Sequence, residues 1–190
     1  MKYFTPELLA HSRSLNDDAA EVADDKWERR IIAYKVHLKE IRRHLPLGAR
    51  QLLKHVSLHD AQLLTINRGR NRTGSELCLT FRLAGSASKS AGGVELRYSL
   101  TGQSRLVVLH EPQALPNGPV TRWVLYDEFD LAQKGRVTAF THSLLMTGGL
   151  EFRIKFFNLR LRRFGRVLLA DSNPAEIEKE LADDDQLATA

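Results

Sequence analysis

His55, His59, Asp60, Asp127, Glu128 and His142 are the side chains whose types could do acid–base or metal chemistry. Imidazoles and carboxylates are the usual ligands of zinc and other transition metals, and the same groups serve as general acids and bases. His59-Asp60 is the pair to test first, because it stands in the stretch Ser57-Leu58-His59-Asp60-Ala61-Gln62-Leu63-Leu64-Thr65-Ile66. There the helical period of the preceding residues gives way to alternation. His59, Asp60 and His142 are therefore the candidate catalytic residues. His55 and His59 are four apart and share a face only if a helix continues to residue 59, where alternation already begins. A structural role competes with the chemical one: it predicts that His59 and Asp60 bind backbone groups where helices meet the sheet. In Tyr126-Asp127-Glu128, alternation turns Asp127 away from its neighbours, and a solvated strand end is the expected setting. No metal and no cofactor is predicted, since the sequence has no phosphate loop, dinucleotide fingerprint, Cys/His zinc spacing or nucleophile elbow.

A second set of residues suits anion binding. Arg68, Arg70 and Arg72, in Arg68-Gly69-Arg70-Asn71-Arg72, read as a flexible hairpin tip whose guanidinium groups can fork onto phosphate. Arg153, Lys155, Arg160 and Arg162 interleave with Phe152, Phe156 and Phe157, superficially like a sheet that stacks bases on aromatics. Strand alternation argues against that likeness, because it sends Phe152 and Phe156 to the face opposite Arg153 and Lys155. The formal net charge of +5 hides a segregation. Residues 26–72 carry 12 basic and 3 acidic side chains and residues 151–170 carry 6 and 1, while residues 1–25 carry 2 and 6 and residues 171–190 carry 1 and 7. Acidic ends bracket two basic blocks, and such ends can either fold over the basic surface or leave it open to an anionic partner.

The elements that must position these groups follow from periodicity. Thr5-Pro6-Glu7 is a helix start, with Thr5 as cap and Pro6 in the first turn. A longer helix from Asn16-Asp17-Asp18 to about Leu45 carries Trp27, Ile31, Tyr34, Leu38, Ile41 and Leu45 at steps of four and three, one apolar stripe that needs a sheet to cover it. Pro46 interrupts it and a short helix follows. From Leu58 the period is two: Leu77, Leu79, Phe81 and Leu83, then Val94, Leu96, Tyr98 and Leu100, alternate with polar residues. Further strands are expected over 106–110, 120–129, 137–146 and 150–161, with a slip of phase at Phe157 that marks a bulge or the strand end. Asn173-Pro174-Ala175-Glu176 opens a terminal helix.

The fold class expected is α+β: N-terminal helices packed on a six- or seven-stranded antiparallel meander sheet or partly closed barrel, with a short C-terminal helix. One domain is expected over 1–182, helical over 1–56, sheet over 57–166 and helical again over 173–182, with 183–190 as a disordered tail. At 43% hydrophobic residues, composition is that of an ordinary globular domain. No stretch approaches the roughly 20 apolar residues of a membrane span, and no signal peptide is legible, so a cytoplasmic protein without membrane attachment is expected. The single cysteine, Cys78, cannot form an internal disulfide and reads as a half-buried strand residue.

Met1-Lys2-Tyr3-Phe4-Thr5, Leu58-His59-Asp60-Ala61, the Trp123-Val124-Leu125-Tyr126-Asp127-Glu128 stretch and Phe140 with His142 resemble features of an uncharacterised bacterial family whose members begin with much the same pentapeptide. That resemblance covers about a fifth of the chain and implies a bacterial cytosolic protein with no established activity. Leu58-His59-Asp60-Ala61 and the alternating strands are also similar to small bacterial immunity proteins, which neutralise toxins by binding them. The first functional expectation is accordingly a binding module that acts through a protein partner, of the immunity type. The alternative is nucleic-acid binding through the basic blocks, and the third is a metal-assisted or acid–base enzyme at the helix–sheet seam.

Overall fold

In the computed structural model, which describes residues 1–12, 17–71, 74–84, 92–100, 107–108, 122–134, 137–147 and 150–165, the chain begins as its capping chemistry suggests. The Thr5 hydroxyl accepts the Leu8 amide at 3.3 Å and opens helix α1, Pro6–Ser12. Helix α2 spans Asp17–Ile41 and α3 spans Leu47–His55. The α2 helix ends four residues earlier than its stripe does. Pro46 holds extended backbone ahead of α3, and the chain reaches it through tightened turns, with the His44 amide on the Ile41 carbonyl and the Leu45 amide on that of Arg42.

Seven strands follow: β1 Gln62–Asn71, β2 Gly74–Arg82, β3 Gly93–Leu100, β4 Val107–Val108, β5 Val124–Lys134, β6 Val137–Met146 and β7 Glu151–Phe164. All pairings are antiparallel, and six strands run in the order β1-β2-β3-β7-β6-β5 while the two-residue β4 pairs with β7. Two three-stranded meanders are thus joined through β3 and β7, in a register that sets Tyr98 against Leu159. The α+β class with helices preceding an antiparallel sheet stands as the periodicity indicated. The sheet is not closed. Among the described residues its first and last strands meet at one corner, through a bridge between Gln62 and Trp123 and backbone bonds from Asp60 to Val124, Val124 to Ala61 and Leu63 to Arg122.

The main core lies under the end of α2 and under α3. Ile41, Leu45, Ala49 and Leu52 pack there on Leu79, Phe81, Leu96, Phe129 and Phe156. Gly48 lies so close to β7 that a Cβ on it would stand 2.0 Å from the Leu159 carbonyl oxygen. A second cluster joins Tyr3, Phe4 and Tyr34 with Trp27, Ile31, Leu38 and Tyr126. The apolar stripe of α2 is therefore divided, its first half facing the N-terminal segment and its last turn the main core. Phe156 is buried and Phe157 exposed, and the β3–β7 register slips there, which places the expected bulge at Phe157. The terminal helix and tail read over 173–190, the loop over 85–91 and the proline-rich stretch over 109–121 lie outside the described residues. Among the described residues no helix is long and apolar enough to cross a membrane.

Candidate functional site

The six acid–base candidates do not converge. The exposed ring of His59 is bound through Nδ1 to the Leu125 carbonyl at 2.5 Å and leans on Tyr126, and its Nε2 lies 3.5 Å from Asp60. Asp60 takes a left-handed conformation, φ 60°, and its amide donates to the Val124 carbonyl at 2.8 Å. Both residues sit at the corner where β1 touches the start of β5, so their geometry ties that corner of the open sheet together rather than framing a cavity. His55 is at the end of α3.

Strand β5 explains where the others go. A bulge at Leu125 shifts its phase, after which Tyr126, Glu128 and Asp130 meet the N-terminal segment and α2, while Asp127 and Phe129 turn to the core. The expected solvated strand end is therefore corrected: Glu128 is 5% exposed. Its carboxylate accepts the backbone amides of Lys2, Tyr3 and Phe4 at 2.8, 2.7 and 2.6 Å. Glu151, also buried, binds the Met1 amino group and, at 2.9 Å, Arg153. His37 from α2 meets Asp130 at 2.9 Å. The Phe129 amide donates to the Tyr34 hydroxyl at 2.7 Å. Burial pushes the Tyr34 phenol far above its ordinary pKa, and the Asp127 carboxylate adds to the shift.

Asp127 faces His142, which is fully buried and stacked on Phe129 with ring centroids 4.0 Å apart. Nε2 of His142 lies 3.2 Å from Asp127 Oδ2, and Nδ1 lies 2.7 Å from the Tyr98 hydroxyl. The Asp127 carboxylate can only accept, so His142 donates to it from Nε2, and in that tautomer Nδ1 accepts from the Tyr98 hydroxyl, a phenol whose pKa burial raises. This Tyr–His–Asp chain has the order of a proton relay, but Tyr98 and His142 have no exposed atoms for a substrate to reach. Its geometry is that of a satisfied polar network in the core. Tyr98→Phe is expected to cost about 1–2 kcal/mol in chemical denaturation, because it strips the donor from a buried Nδ1. An unchanged denaturation midpoint would contradict the network. Among the described residues no cluster of three or more His, Cys, Asp or Glu could hold a metal.

The anion-binding candidates divide into neutralised and unneutralised groups. Arg160 pairs with Glu76 at 3.2 Å, and Arg162 stands across from Glu95, which Arg97 binds at 2.6 Å. The Arg97 guanidinium holds the Glu95 carboxyl below its ordinary range. Arg153 is tied to Glu151, and Lys155 is exposed on the outer face of β7. The hairpin-tip expectation is corrected as well. Arg68 and Arg70 are exposed but lie within the paired length of β1, opposite Leu77 and Ser75, while Arg72 lies outside the described residues.

A more concentrated charge lies where no single segment shows it. Lys39, Arg42 and Arg43 from the end of α2 and the following turn face Arg50 and Lys54 of α3 across a groove of about 540 Å³, completed by Leu47, Gln51 and His55. Among the described residues no carboxylate lines it and none of its five lysines and arginines is in an ion pair. The signal was present in the sequence as basic residues off the apolar stripe. Concavity was not, because it depends on the turn at residues 42–46 and on how closely Gly48 seats α3 against β7. No family model matches the chain, and no curated protein and no solved structure matches it significantly.

Proposed function

We propose that this chain is a binding module that engages an acidic surface of a partner protein through the α2–α3 groove, with toxin neutralisation of the immunity type as its setting. The observation that carries the reading is the groove itself: five cations share one concavity, and among the described residues none of them has a counter-ion. Their mutual repulsion is relieved when carboxylates enter, arginine forks give such contacts geometry, and the concentrated field speeds encounter with an acidic partner. A protein fits better than nucleic acid because Leu47 opens into the groove with 62% of its surface exposed. Phosphate-binding surfaces are more polar than this, and the described residues offer no row of exposed aromatic rings on which bases stack.

Calorimetric titration with poly-glutamate and, separately, with a generic duplex at about 50 mM salt tests the reading. Poly-glutamate is expected to bind the wild type, and the double substitution Arg43→Glu, Lys54→Glu should weaken it more than about tenfold. Arg160→Glu should change the affinity little, since Arg160 is already paired with Glu76. A duplex that binds tighter than poly-glutamate, with an affinity that falls steeply with salt, would put nucleic acid first. Absence of binding to either polyanion removes the reading.

A further inference from the structure

The face of α2 opposite its buried stripe carries two branched apolar side chains in solvent, Ile32 at 62% and Val36 at 52% exposure. Steps of four and three put Ile32, Val36 and Lys39 on one helix face, and Lys39 is a wall of the basic groove. Leu47, exposed on the other wall, belongs to the same surface. Followed along α2, the surface passes from apolar to strongly basic within about two turns. Trp27, Ile31, Tyr34, His37, Leu38 and Ile41 supply contacts that α2 makes with its own fold, and Ile32 and Val36 belong to neither core cluster.

Resting on the groove reading above, we infer that the partner element seated there is an amphipathic helix, with branched apolar residues against Ile32, Val36 and Leu47 and carboxylates over Arg42, Arg43, Arg50 and Lys54. Charge complementarity selects an acidic occupant, since among the described residues the groove is lined by five cations and no acid. The walls select its conformation. One wall is α3 and the other is the last turn of α2 with the turn that follows it, so neither offers a sheet edge to which an extended peptide could add as a strand. A helix satisfies its backbone by itself and presents side chains at the one-turn spacing of Ile32 and Val36.

Two labelled synthetic peptides of roughly 18 residues, about five helical turns, test the inference. One carries leucines at steps of four and three with glutamates beside them; the other has the same composition scrambled. In fluorescence anisotropy at about 50 mM salt, the patterned peptide is expected to bind at least about tenfold tighter than the scrambled one. Ile32→Ser with Val36→Ser should abolish that difference and leave the scrambled peptide's affinity unchanged; both sites are exposed, so folding is retained. Arg43→Glu with Lys54→Glu should weaken both peptides. Equal affinity for the two, still lost on charge reversal, overturns the helical occupant while the acidic-partner reading survives. No binding of either peptide overturns both. Binding of phosphatidylglycerol vesicles in place of the patterned peptide assigns the surface to an anionic membrane and also overturns the inference.

Discussion

Replacing Glu128 with alanine is expected to destabilise the protein by about 4 kcal/mol and to lower the melting temperature by roughly 8–16 °C. Three backbone amides, those of Lys2, Tyr3 and Phe4, end on this one carboxylate, and two of the bonds are buried. Removing it strips these amides of the acceptor they share, and an orphaned buried donor costs its full desolvation. The loss then spreads, because Tyr3 and Phe4 are the rings against which Tyr34, Trp27 and Tyr126 pack. Phe4 and Tyr126 are stacked at 4.8 Å, so a change in tryptophan fluorescence should accompany the loss. Glu128→Gln keeps the shape and one accepting oxygen but turns an amide NH2 toward N–H groups, and about half the effect is expected. If the alanine variant melts with the wild type, Glu128 is not what holds the N-terminal segment.

Gly48→Ala, ordinarily a stabilising change inside a helix, is expected to cost about 3 kcal/mol here. The new Cβ would come within 2.0 Å of the Leu159 carbonyl oxygen and 2.7 Å of its carbon. Both are backbone atoms of β7, whose stretch around Leu159 is fixed in register with Tyr98 of β3, so β7 cannot yield without breaking that ladder. The helix must move instead, and with it Ala49 and Leu52 leave the core. Because α3 is one wall of the groove, the same variant should bind acidic probes more weakly even at temperatures where it stays folded. Urea denaturation checks the first effect and calorimetry the second. A variant as stable as the wild type would show that α3 does not approach β7 this closely.

Local order was legible from residue types alone. Alternation at Leu77, Leu79 and Phe81 and at Val94, Leu96 and Tyr98 identified β2 and β3. The phase slip at Phe157 marked the bulge, and Thr5 marked the first helix cap. These features depend on the period of two or 3.6 residues and on capping chemistry, which neighbouring residues encode directly. Only the tertiary structure decided what the functional side chains meet. Glu128 finds amides more than a hundred residues away, His142 finds Tyr98 and Asp127 on different strands, and Arg160 is neutralised by Glu76 from across the sheet. The same holds for the groove, whose cations were visible as a basic stretch but became a concave site only when the turn before Pro46 brought α3 beside α2. Charge and periodicity are properties of a segment, whereas neutralisation and concavity are set by contacts between segments, and those depend on how the sheet pairs and where the helices dock on it.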